Sequence, residues 1–78
     1  MTEQSPEFSE LFAIFKEWIL THAESFSDAK RLIEKDVFLI DELLWTDWVT
    51  RTQAAKMKLF LPELKKALYP AVKNSFNG

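Results

Sequence analysis

The sequence predicts an all-α protein, folded as a compact bundle of three to four helices. Apolar residues recur at helical spacing along most of the chain, most clearly between Phe8 and Ala23. The 78 residues include one Gly and three Pro, too few turn-forming residues for a β protein rich in hairpins. We expect a single domain spanning residues 1–78, with frayed ends at 1–4 and 74–78. No motif in the chain identifies a family.

The first helix is expected over residues 6–23. Ser5 is a favourable N-cap, Pro6 suits the first helical position, and Glu7 complements the positive end of the helix dipole. Apolar side chains fall on one face, namely Phe8, Leu11, Phe12, Phe15, Trp18, Ile19 and Ala23. His22 lies within the same arc, and we interpret it as a packed, hydrogen-bonded core residue.

The second helix is expected over residues 28–45, capped by Ser25 or Ser27. Asp36 falls near the middle of its apolar face, where an unpaired carboxylate is costly. Either the helix breaks there, with Asp36 capping a new helix from Val37, or the carboxylate pairs with a base of the C-terminal half. We favour the break. The expected core face comprises Ala29, Leu32, Ile33, Val37, Leu39, Ile40, Leu43 and Leu44.

Two further helices are expected over residues 47–61 and 62–69. Thr46 and Asp47 are candidate caps for the third helix, and Pro62 and Pro70 each end a helix. The apolar line of the third helix is expected to be Trp48, Thr52, Ala55 and Leu59, with Val49, Met57 and Phe60 on its flanks.

Charge is distributed unevenly along the chain. Residues 1–48 contain four bases and eleven acids, a net charge of −7, whereas residues 49–78 contain six bases and one acid, a net charge of +5. The simpler interpretation is that the two halves attract each other within the bundle. The alternative is a basic face for an acidic partner or nucleic acid.

Several function classes lack the residues that they need. The chain contains no Cys, and its single Gly is the last residue, so disulfides, thiolate metal sites and phosphate-binding loops are not expected. His22 is the only histidine, and no carboxylate pair has the spacing of a catalytic dyad. We therefore expect no enzyme, cofactor or metal. Without a signal sequence or a long apolar run, we expect a cytoplasmic protein with no membrane partner.

A candidate partner-binding site lies in the second helix. Phe38 and Trp45 project away from the expected core face, beside Asp41 and Glu42, and Trp48 follows closely. Aromatic side chains with a polar rim are typical of interface hot spots, although a central helix buried on both sides would show the same pattern. We expect a protein-binding regulator of the adaptor, anti-activator or inhibitor type, a kind that phages and mobile elements also carry. Its partner is expected to have a basic surface. We also expect a homodimer, because eleven aromatic rings are many for a core of this size and a second copy would bury the surplus.

The alternative prediction is DNA binding. Residues 50–68 have a faint helix-turn-helix rhythm, and five bases there suit phosphate contacts: Arg51, Lys56, Lys58, Lys65 and Lys66. Against it, Lys58 stands where such motifs usually have Gly, and no Arg, Asn or Gln precedes Asn74 in the second helix of the motif to recognise bases.

Overall fold

The computed structural model describes residues 6–77, which form five helices and, within that range, no strand. The helices are α1 (Pro6–His22), α2 (Phe26–Glu34), α3 (Val37–Trp45), α4 (Arg51–Leu59) and α5 (Leu61–Asn77). The all-α prediction is confirmed, and the number of helices is corrected from three or four to five. The expected first helix corresponds to α1, while Ser5 and the expected frayed end at 1–4 lie outside the described residues.

The helix expected over residues 28–45 is broken at Asp36. Asp36 adopts φ 58° and ψ −124°, a backbone conformation that is unfavourable for any residue with a β-carbon. Its carboxylate does not cap α3 and instead accepts a hydrogen bond from Lys65 Nζ at 2.7 Å. The favoured break is thus confirmed and the expected cap is wrong, while the ion pair considered as the alternative is also present. Ser25 caps α2 by accepting a hydrogen bond from Asp28 N at 3.2 Å.

The link between α3 and α4 differs from the sequence prediction. Thr46 and Asp47 close α3 rather than open the next helix, because Asp47 takes the left-handed conformation with φ 63°. Trp48 N donates to Leu43 O at 2.9 Å and Asp47 N donates to Leu44 O at 3.2 Å, the two hydrogen bonds of a Schellman motif. Helix α4 starts after Thr50, which forms a capping box with Gln53.

The buried face of α4 was also predicted in the wrong rotational position. Ala54 and Met57 are buried, as is Val49 before the helix, whereas the expected apolar residues Thr52, Ala55 and Leu59 are exposed. Two apolar stripes compete on this helix, and sequence spacing alone does not rank them. In the structure, the buried stripe is the one that continues into Leu61 of α5.

Helix α5 is longer than the expected 62–69 segment. It continues through Pro70 and includes residues 74–77, which were expected to fray. Its buried stripe extends past the proline, through Leu61, Leu64, Leu68 and Val72. Pro70 is exposed, and solvation on that side offsets part of the hydrogen bond that its ring removes.

Buried side chains from all five helices form one hydrophobic core. Helix α5 packs against α1, α2 and α4, and α3 packs mainly against α4. Leu39, Ile40 and Leu43 bury the core side of α3, whereas Val37, expected in the core, is 41% exposed. The opposite side of α3 remains open to solvent. Among the described helices, none has the length and hydropathy needed to cross a membrane.

Candidate protein-binding surface

The large apolar side chains that are exposed in the described chain are concentrated in one stretch. They are Val37, Phe38, Trp45, Trp48 and Leu59, all in α3, α4 or the loop between them. Helices α1, α2 and α5 contribute none to this set. Four of the five therefore lie in α3 or in the loop directly after it, and such a concentration of exposed apolar side chains is typical of an interaction site.

Phe38 and Trp45 form the centre of this surface. Their exposed fractions are 70% and 78%, and they lie two helical turns apart, about 10.5 Å along α3. Between them is an open groove of about 580 Å³, lined by Lys35, Phe38, Asp41, Glu42, Trp45 and Thr46. We call this surface the α3 groove. Neither aromatic side chain reaches the core, because Leu39, Ile40 and Leu43 occupy the buried side of the same helix.

The charges at the rim of the α3 groove cancel. Lys35 Nζ lies 2.8 Å from Glu42 Oε1, and Lys58 Nζ lies 3.5 Å from Asp41 Oδ1. Both carboxylates expected to attract a basic partner are thus paired within the chain. All four side chains are 38–48% exposed, so these ion pairs contribute little to stability. Their main effect is to give the aromatic surface a rim without net charge.

Trp48 occupies a different position from the other predicted site residues. Its ring packs edge-on against Trp18 with centroids 5.2 Å apart, and it is 37% exposed. Trp48 therefore attaches the α3–α4 loop to α1. It does not line the α3 groove, but it lines a neighbouring groove together with Trp45 and Arg51. Trp45 is shared by both grooves.

His22 belongs to the same aromatic cluster. Its ring stacks on Trp18 with centroids 3.9 Å apart, and its Nδ1 lies 2.9 Å from the carbonyl oxygen of Trp18. The expected packing and hydrogen bonding of His22 are present, but the side chain is exposed rather than part of the core. Trp18 is buried, and its indole Nε1 has no hydrogen-bond partner among the described residues.

Three of the five bases of the DNA-binding alternative form ion pairs within the chain. Lys56 pairs with Glu7 of α1, Lys58 with Asp41 of α3, and Lys65 with Asp36 at the break between α2 and α3. The hydrogen bond to Asp36 raises the pKa of Lys65. Arg51 and Lys66 are exposed and have no ion pair within residues 6–77. Three bases therefore attach the basic half of the chain to three elements of the acidic half.

Two residues of the α3 groove were missed in the sequence, Lys35 and Thr46. The spacing of Lys35, Phe38, Glu42 and Trp45 follows the helical repeat and would have identified the lysine. Thr46 enters the groove as the C-cap of α3, which periodicity does not reveal.

Clusters of three or more acidic or histidine side chains suited to a metal ion are absent from residues 6–77. No family model matches the sequence, and comparison with curated proteins and with solved structures finds no significant match.

Proposed function

We propose that this protein is a small non-catalytic regulator that binds another protein by docking α3 into an apolar groove of its partner. It acts as an adaptor, anti-activator or inhibitor by occupying that groove. The observation that carries the proposal is the exposure of Phe38 and Trp45, 70% and 78%, on the side of α3 opposite the core. Anchors on one face of an amphipathic helix are a recurring mode of peptide recognition.

The energetics favour a partner that takes both anchors at once. From typical aromatic side-chain areas of about 150–250 Å², docking would remove roughly 300 Å² of these two rings from water. At about 25 cal/mol per Å², this corresponds to a gross gain of about 8 kcal/mol. Association costs an estimated 4–15 kcal/mol, so one aromatic anchor alone would not be sufficient. Removing either ring should therefore weaken the complex strongly.

The rim of the α3 groove indicates the chemistry of the partner. Its two lysines and two carboxylates form ion pairs and carry no net charge. A matching partner surface is an apolar groove with an uncharged or mixed-charge border, and binding should depend weakly on salt. The same surface of α3 would serve a homodimer as well as a different protein.

A binding role also agrees with the position of the single histidine. His22 is stacked on Trp18 and hydrogen-bonded to its backbone carbonyl, and it does not line the α3 groove. The side chains that do line the groove are two aromatic rings, the ion pair of Lys35 and Glu42, the carboxylate of Asp41, and a threonine whose hydroxyl donates to the α3 backbone. Such a surface offers contact area rather than a reactive group.

The proposal can be tested by photo-crosslinking a partner and then measuring its affinity for variants of this protein. A photoreactive phenylalanine analogue at position 45 should crosslink a partner in the producing cells, whereas the same analogue at exposed position 66 on α5 should not. The captured protein is then purified and titrated by calorimetry against wild type, Phe38→Ala and Trp45→Ala. We expect each substitution to weaken binding by roughly tenfold to a hundredfold.

Leu59→Ala is the matched control. Leu59 is 74% exposed, as much as the two aromatic side chains, but it does not line the α3 groove. Its replacement should leave the affinity within about twofold of wild type. If Phe38→Ala and Trp45→Ala bind the purified partner as tightly as wild type does, α3 is not the docking surface and the proposal is rejected.

A further inference from the structure

We propose that, in the free protein, the α3 groove is covered by the α3 groove of a second copy of this chain. The two copies are related by a two-fold axis, and Phe38 of each copy contacts Trp45 of the other. This inference rests on the proposed function, because self-association and partner binding then compete for the same surface. In the dimer the aromatic residues are out of water, and a partner must displace one copy to bind them.

The spacing of the anchors makes the surface self-complementary. Phe38 and Trp45 are two turns apart on one helix, so a two-fold axis between them, near Asp41 and Glu42, aligns two α3 helices in opposite directions. This alignment places Phe38 of each copy opposite Trp45 of the other, which gives two equivalent aromatic pairs. Aromatic pairs at such contacts contribute beyond the area that they bury. Both aromatic pairs would thus form between side chains that are already exposed on α3.

Charge permits the same arrangement. Asp41 and Glu42 of both copies would meet near the two-fold axis, where four unpaired carboxylates would repel each other. In the structure each carboxylate is paired with a lysine of its own chain, Lys58 for Asp41 and Lys35 for Glu42. The region near the axis is therefore neutral in each copy, and the lysines are what allow two identical acidic helices to approach.

The area indicates a weak dimer. Four aromatic rings, with the exposed fractions seen here, would bury roughly 600–700 Å² in total. This is about half of the ~1,200 Å² at the lower limit of stable interfaces, and the helix flanks must supply the rest. We expect a dissociation constant of the dimer on the order of 100 μM, weak enough for a partner with a better groove to displace the second copy.

Sedimentation velocity at protein concentrations between roughly 10 μM and 1 mM tests the inference, because a weak dimer forms and dissociates within this range. The average mass of wild type should rise towards that of a dimer, whereas Phe38→Ala and Trp45→Ala should remain monomeric over the range. Leu59→Ala, equally exposed but outside the groove, should associate like wild type. Circular dichroism of each variant establishes that it is folded. In ¹⁵N-resolved NMR spectra the indole signal of Trp45, assigned from Trp45→Phe, should shift with concentration while that of buried Trp18 should not.

A charge variant tests the arrangement around the axis. Lys58→Ala leaves Asp41 unpaired and should weaken the dimer by about threefold to tenfold at low salt, with recovery as salt screens the carboxylates. Lys66→Ala, a lysine of α5 without an ion pair in the described chain, should have no effect.

The inference is overturned if wild type remains monomeric to about 1 mM, if neither aromatic substitution weakens association, or if Leu59→Ala weakens it equally. Its failure differs from failure of the proposed function. A monomeric protein whose purified partner still requires Trp45 would reject only the self-association. A dimer that requires Trp45, with a partner that does not, would reject only α3 as the partner surface.

Discussion

The stability of Trp45→Ala separates a surface aromatic side chain from a core one. Trp45 is 78% exposed, so about a fifth of its side chain is buried. For a Trp area of about 250 Å², this fraction is roughly 55 Å², equivalent to at most about 1.4 kcal/mol. Residual compactness of the unfolded chain lowers this value, and Ala is the better helix former. We expect a loss of about 1 kcal/mol in the free energy of unfolding.

Trp18→Ala provides the contrast within the same protein. Trp18 is 5% exposed and packs against both Trp48 and His22. Its removal should cost about 3–5 kcal/mol, as expected for truncating a buried aromatic side chain. Urea denaturation followed by far-ultraviolet circular dichroism measures both variants without relying on the tryptophan fluorescence that they alter.

The outcome for Trp45→Ala tests the structural basis of the binding proposal. A loss above about 3 kcal/mol, or failure to fold, would mean that Trp45 is a core residue and not an available anchor. A loss near 1 kcal/mol together with loss of partner binding would assign Trp45 to the interface.

The remaining predictions concern the links between helices and the basic half of the chain. Asp47→Gly should raise the free energy of unfolding by about 1 kcal/mol, since Gly adopts φ 63° without strain from a β-carbon. Asp47→Ala should not raise it, and equal effects of the two substitutions on urea denaturation would contradict this explanation. Thr50→Ala should lower it by about 1 kcal/mol through loss of the capping box, and an unchanged urea midpoint would argue against that cap. The hydrogen bond to Asp36 raises the pKa of Lys65 above 10.5, so its stabilisation is fully present below pH 10.5 and is lost as pH rises through the higher folded-state value. The difference in stability between wild type and Asp36→Asn should accordingly shrink at alkaline pH, and a difference that stays constant there would exclude this origin. Mobility-shift assays at low salt should show no binding to duplex DNA, while a salt-sensitive shift would favour the DNA-binding alternative.

The break in the second helix could be predicted from the sequence because a single carboxylate, that of Asp36, interrupts an otherwise apolar helix face. A carboxylate on the apolar face at Asp36 had to be exposed, paired or moved to a helix end. The structure combines two of these outcomes: the helix ends at this point, and the carboxylate pairs with Lys65. Which base would pair with Asp36 was not predictable, because Lys65 is 29 residues away and the fold alone brings them together.

The errors in α4 and α5 have different physical origins. Local signals favoured a cap at Thr46–Asp47 and a stop at Pro70, and both would be reasonable in an isolated peptide. In the protein, α4 instead starts at the capping box of Thr50 and Gln53, which is also a local signal, whereas burial of Val72 continues α5 past the proline. Tertiary packing outweighs local propensity when the apolar stripe extends beyond the stop signal.

The sequence by itself determined the helical class, the aromatic excess and the opposite charges of the two halves, because periodicity and composition are local properties. It also placed Phe38 and Trp45 together, away from the other apolar residues of their helix. Only the tertiary structure decided that nothing in the described chain covers them, that their acidic neighbours are neutralised by Lys35 and Lys58, and that Trp48 belongs to the fold. Exposure and ion pairing depend on which helices become neighbours, and that is a property of the packed chain.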